Sequence, residues 1–183
     1  MIITISGNLG SGKSTVANIL SNRLGLKRYS TGEYMRKMAD ERGITLLELS
    51  KHAELDASID KELDDWQINL GKNDDNFIID ARLAFHFIPN SLKVFLKVDD
   101  AEAARRIFNH DHPNRKKEIE NVSLEATKKN ISIRRNSEHQ RYLDLYDINY
   151  EDESNFDLVI DTTNITAEEV AEKVINHIKR FQN

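Results

Sequence analysis

Apolar residues along this chain keep two rhythms. Five runs are short and nearly continuous: Ile2–Ser6 (IITIS), Leu26–Ser30 (LKRYS, the weakest), Asn76–Asp80 (NFIID), Leu92–Val98 (LKVFLKV) and Phe156–Asp161 (FDLVID). Runs of that length bounded by polar residues read as buried strands. Between them apolar positions recur every three or four residues, the period of a helix with one buried face. That period predicts helices over Ser14–Leu24, Glu33–Arg42, Asp99–Phe108 and Ser123–Tyr146, a region in two pieces from Thr45 to about Leu70, and a last helix from Thr166 to about Phe181. Gly25 and Gly43 stand where two of these stop. Thr45 with Glu48, and Thr166 with Glu169, have the spacing of a capping box.

Strand and helix alternate, so the expected class is α/β, a five-stranded parallel sheet in a three-layer arrangement with helices on both faces. Two segments break the alternation. HDHPNRKKEIEN, after the Asp99–Phe108 helix, holds one of the two prolines and is the candidate for a mobile flap; INYEDESN precedes the last strand. His110 and His112 lie close together in the first segment, but without a third ligand they read as a solvated turn.

Composition narrows the function classes. The 183 residues suit one domain with a real core, 1–183. A net charge of −5 argues against wholesale binding to nucleic acid or to an anionic membrane, and no apolar run approaches the length of a span. There is no cysteine, hence no disulfide frame and no thiolate metal site. No basic leader or cleavage site is visible, so the expectation is a cytoplasmic protein.

The first run leads directly into GNLGSGKS, Gly7–Ser14, which fits G-x-x-x-x-G-K-[ST] with Gly7, Gly12, Lys13 and Ser14 at the fixed places. Glycines let successive backbone N–H groups turn inward onto phosphate oxygens. Lys13 is placed to reach the outer phosphates, the Ser14 hydroxyl to ligate Mg²⁺, and the helix that follows sets its positive end under the anion. Strand, loop and helix in that order are what the motif requires.

A phosphate loop alone leaves GTPases, motors, transporters and small kinases open. The guanine signature N-K-x-D is absent, and the third strand ends in DARL rather than D-x-x-G. The chain is also short for a transporter ATPase. Arginines favour a small kinase, because transfer between two phosphates gathers negative charge that cations must meet while water is kept out. Four stretches supply them: STGEYMRKM, IIDARL, ARRIFNHDHPNR and IRRNSEHQRY.

Taken together these stretches resemble the cytidylate kinases, in the short form typical of archaea and some bacteria, within the nucleoside monophosphate kinases. The resemblance covers nearly the whole chain: IITISGNLGSGKSTVANILSNRLG, YSTGEYMRKMA, IDKELDDWQ, RRNSEHQRY followed by LYDIN, and FDLVIDTT. It implies the P-loop NTPase fold with strand order 2-3-1-4-5, an acceptor-binding segment at about 31–70 and a lid at about 108–135. It implies that Gly7, Asn8, Leu9, Gly10, Ser11, Gly12, Lys13, Ser14 and Thr15 hold the phosphates of ATP, with Arg106 facing them. Arg36, Arg82, Arg134, Glu138 and Arg141 fall to the acceptor, the last three sharing a helix face at i, i+4 and i+7. Lys13, Arg82 and Arg134 then carry the catalytic role, and Asp80 supports Mg²⁺ through water beside Ser14. Arg115 belongs to the lid.

Three positions depart from the family pattern. His110 stands where a further arginine is frequent, Leu83 where longer bacterial members have an aspartate that reads cytosine, and Asp64-Asp65-Trp66 where basic residues are common. The base-reading side chain therefore stays open among Asp60, Asp64 and Gln67, with Trp66 read as packing. The expected reaction is ATP with CMP or dCMP, by a monomer. Another acceptor (AMP, UMP or a non-nucleotide) is the second enzyme reading, and a nucleotide-responsive binding protein with little turnover is the reading from another class.

Overall fold

The computed structural model describes residues 1–109 and 123–181. Its strands are β1 (Ile2–Gly7), β2 (Lys27–Ser30), β3 (Phe77–Asp80), β4 (Leu92–Lys97) and β5 (Leu158–Asp161). The helices are α1 (Lys13–Leu24), α2 (Thr31–Glu41), α3 (Leu46–Leu55), α4 (Ala57–Asn73), α5 (Ala84–Phe87), α6 (Asp100–Asn109), α7 (Leu124–Tyr146) and α8 (Ala167–Phe181). A 3₁₀ turn at Glu153–Asn155 interrupts the irregular INYEDESN. All strand pairs are parallel and the order is β2-β3-β1-β4-β5, as expected.

The apolar runs are continuous because the central strands are covered on both faces. Ile3, Ile5, Ile78, Val94 and Leu96 point to the layer of α1 and α8, where they meet Val16, Leu20, Val170 and Val174. Phe77 and Ile79, one step out of phase, point to the other layer and pack with Trp66, Leu70, Ala84 and Ile88 from α4 and α5. There Trp66 stacks on Tyr34 at 4.7 Å and meets Tyr29 edge-on, a packing role. Leu83, Phe85, Tyr142 and Tyr150 form a further buried cluster that fixes α7 over the sheet edge.

Helix boundaries follow their caps. Both capping boxes form: Thr45 and Thr166 accept from the N–H of Glu48 and Glu169, whose carboxylates reach back to the threonine N–H groups. Helix α2 starts two residues before the expected Glu33, because extended Ser30 is its cap and accepts from Glu33 N–H. Asp56 ends α3 and caps α4, giving the expected break. Helix α5 was not foreseen; four residues are too few to show a period. Among the described residues no helix is long and apolar enough to cross a membrane.

Candidate active site

The sheet order puts the ends of β1 and β3 side by side, and the loop after β1 opens at this carboxyl edge, where open α/β sheets bind ligands. Gly7 ends β1 with φ +143°, and a Cβ there would lie 2.1 Å from the Leu96 carbonyl oxygen. Gly12 precedes α1 at φ +87°, and the space where its Cβ would project is open to 4 Å. No side chain caps α1, so its first-turn N–H groups are left for a bound anion. Ser11 folds the turn onto the Asn8 carbonyl, and Lys13 Nζ donates to the carbonyls of Gly7 at 2.8 Å and Asn8 at 2.7 Å.

Arg82 is brought to the same point from β3. The Ser6 hydroxyl lies 2.8 Å from the Ala81 carbonyl and 2.9 Å from that of Arg82, which fixes the turn after β3 against β1. Arg82 Nη1 donates to the Gly7 carbonyl at 2.9 Å and Nε to Glu138 of α7 at 2.7 Å. Arg134 stands one turn earlier, 3.7 Å from the other Glu138 oxygen. Burial opposes the charge on Arg82, but Glu138 together with Tyr150 and Tyr142 outweighs it and holds the guanidinium more firmly protonated. Burial likewise pushes the Glu138 carboxyl up, and Arg82 with Arg134 brings it below the usual range. Two cations, Lys13 and Arg82, thus meet on one carbonyl at the loop's mouth.

Asp80 ends β3, accepting from Ser30 Oγ at 2.6 Å and from Arg28 Nη2 at 2.7 Å. Arg28 also donates to Glu33. Sequence reasoning missed Arg28; its one signal is that it alternates with Ser30 and so shares the face that meets Asp80. Arg36 projects from α2 back over Gly32, and it has no ion-pair partner among the described residues. Among these residues no three His, Cys, Asp or Glu side chains gather to hold a metal. The hard oxygens available to a cation arriving on a phosphate are the Ser14 hydroxyl in the first turn of α1 and, through water, the lone pairs that Arg28 and Ser30 leave on Asp80. So sparse a set of hard oxygens fits Mg²⁺, which keeps several of its waters.

Helices α4 and α7 face each other through acidic and basic groups. Arg141 Nε lies 2.9 Å from Asp60 Oδ2, and its guanidinium sits over the Tyr142 ring. Gln67 is buried, its amide donating to Leu63 and its carbonyl oxygen unpaired. The Tyr146 hydroxyl donates to Asp64. Burial pushes the Asp64 carboxyl up to about 6 from an ordinary 3.8, against the Tyr146 hydrogen bond that favours the charged form. A carboxyl raised in the folded state binds its proton more tightly there than in the unfolded chain. Its contribution is fully present below about 3.8 and is lost as pH rises through about 6. Urea midpoints at pH 4 to 7 should show Asp64→Asn gaining on the parent across that window and levelling off above it. A constant difference between the two would contradict the raised carboxyl.

Arg106 is held by its own helix and by the segment after β5. It donates to Glu102, to Thr162 Oγ1 and to the carbonyls of Thr162 and Thr163, and the Thr162 hydroxyl lies 3.2 Å from the Ser11 carbonyl. Its link to the loop runs through Thr162. A second unforeseen group is Glu151, which accepts from Asn8 Nδ2 and from Arg135. His110, His112, Arg115 and the expected lid from 110 to 122 lie outside the described residues; of its remainder, 108–109 end α6, and Leu124 to Arg135 is the first half of α7.

The structure resembles that of shikimate kinase from Bacteroides thetaiotaomicron, with a TM-score of 0.67 at 12% identity over 98% of each chain, a likeness of fold. Closer in sequence is a cytidylate kinase of Methanobrevibacter smithii, 35% identical over 98% of this chain and 99% of that protein. A protein of Lacinutrix mariniflava named S-adenosylmethionine-dependent nucleotide dehydratase is 37% identical over 97% of this chain, which spans 36% of that protein. The profile of the cytidylate kinase-like family matches residues 2–164, and the chain belongs to that family.

Proposed function

We propose that this nucleotide kinase moves the γ-phosphoryl of ATP onto CMP or dCMP, giving ADP and the pyrimidine diphosphate. The observation that carries the reading is the meeting of Lys13 and Arg82 on the Gly7 carbonyl, with Arg82 held from α7 by Glu138. One cation belongs to the phosphate loop and the other to the acceptor side, and both are parked where a phosphoryl group in transit would pass. An acceptor phosphate oxygen attacks the γ-phosphorus as the bond to the ADP oxygen breaks. The acceptor is already an anion, so no general base is required.

The loop N–H groups from Gly7 to Thr15 and Lys13 hold the ATP phosphates, and Arg106 steadies the loop's far side. Arg36 and Arg82 clamp the acceptor phosphate, which gives a purpose to Arg36, without an ion-pair partner among the described residues. Arg134, Glu138 and Arg141 bring α7 onto the acceptor. Ser14, and Asp80 through water, would hold Mg²⁺, which would supply charge neutralisation for the donor phosphates. The acceptor segment at about 31–70 and the lid at about 108–135 serve one catalytic domain, and the protein works as a cytoplasmic monomer without nucleic acid or membrane.

A coupled assay with ATP and Mg²⁺ against CMP, dCMP, UMP, AMP and GMP tests the acceptor. CMP or dCMP should give the highest kcat/KM, and Arg36→Ala should raise the KM of the preferred monophosphate about tenfold while the KM of ATP stays within a few-fold, the loss of one charge-assisted contact. Equal turnover of all five, or none, would remove the reading.

A further inference from the structure

Glu151 lies in the connection between α7 and β5, and the phosphoryl-transfer reading gives it no part. Its side chain is 18% exposed, and both carboxylate oxygens are committed. Oε1 accepts from Asn8 Nδ2 at 2.7 Å; Oε2 accepts from Arg135 Nε at 3.1 Å and Nη2 at 2.8 Å. At one end, the Asn8 carbonyl is a resting place of Lys13 Nζ. At the other, Arg135 adjoins Arg134 on α7, and its Nη1 lies 3.5 Å from Asp100 at the start of α6. Glu151 itself has little freedom. Its N–H donates to Asn149 Oδ1, and the preceding Tyr150 is buried with its ring under the Arg82 guanidinium at 5.8 Å.

One carboxylate therefore ties the loop residue that holds the transferring lysine to the helix that carries the acceptor-side arginines. When donor phosphates enter, Lys13 leaves the Asn8 carbonyl for them, and the Asn8 side chain can re-seat only together with Glu151 and Arg135. A second tie, Gly7–Arg82–Glu138, runs in parallel, but its arginine is placed on the substrates, whereas Glu151 and Arg135 are not. Resting on the phosphoryl-transfer reading, we propose that Glu151 and Arg135 are a positioning pair that couples donor binding at the loop to acceptor binding under α7. Such coupling is reciprocal: each nucleotide tightens the other by the same factor.

Calorimetric titration of CMP, with and without a non-hydrolysable ATP analogue and Mg²⁺, reads the coupling directly. The parent should bind CMP at least about fivefold more tightly with the analogue present, the lower end of ordinary coupling. In Glu151→Ala and in Arg135→Ala that ratio should fall below about twofold, with each nucleotide alone binding within about threefold of the parent. Arg135→Lys, which keeps the charge, should restore part of it. Arg135 is 41% exposed, so its variants should stay folded, as circular dichroism would show, even if Glu151→Ala does not. A ratio in Arg135→Ala equal to the parent's would overturn the proposal, as would a parent with no coupling to lose. A parent that binds the analogue but no monophosphate would instead strike the phosphoryl-transfer reading, and this inference with it.

Discussion

Lys13→Ala is expected to lower kcat by about a thousandfold and leave the fold intact. The scale is that of removing one preorganised donor from a developing charge. Lys13 is only half-buried, and its Nζ donates to the carbonyls of Gly7 at the end of β1 and Asn8 in the loop, so truncation should open no cavity in the core. The parent and variant should unfold within a few degrees of each other while turnover, measured at saturating ATP and monophosphate, collapses. Turnover within a few-fold of the parent would mean that the loop holds no transferring phosphate.

Arg82→Ala should damage both catalysis and stability, because its guanidinium joins three things: the Gly7 carbonyl, Glu138, and the face of Tyr150. Truncation leaves Glu138 with Arg134 alone, at 3.7 Å. Breaking a buried pair from one side costs several kcal/mol, and with Arg134 remaining about 3 kcal/mol is expected. At a temperature where the variant is still folded, kcat should fall about a hundredfold and the acceptor KM should rise, with the KM of ATP little changed. Glu138→Gln separates the two effects: it keeps an acceptor for Arg82 and should recover part of the stability. Normal acceptor kinetics in Arg82→Ala would place the acceptor phosphate elsewhere.

What the sequence made legible was what local periodicity records. Strands covered on both faces read as unbroken apolar runs, and the capping boxes at Thr45 and Thr166 mark helix starts within four residues of sequence. The Arg134, Glu138 and Arg141 set came from the family resemblance, with which the turn spacing on one helix agrees. Groups whose partners come from distant segments were not visible. Asn8 and Glu151 are 143 residues apart, and Arg28 and Asp80 are 52 apart; no spacing rule links them before the sheet order does. Ser30 reads as the last residue of a weak strand, yet it is also the α2 cap and a partner of Asp80. Polar residues at the carboxyl edge serve fold and site together, so their local signals are mixed.

The central claim is that phosphoryl moves from one nucleotide to another at the loop between β1 and α1. Incubation with ATP labelled in its γ-phosphate, Mg²⁺ and CMP, with products separated over time, tests it most directly. The account predicts label accumulating in CDP, little in inorganic phosphate, and none in CDP with Lys13→Ala. Label released only as inorganic phosphate, or retained in ATP whatever monophosphate is added, would contradict it.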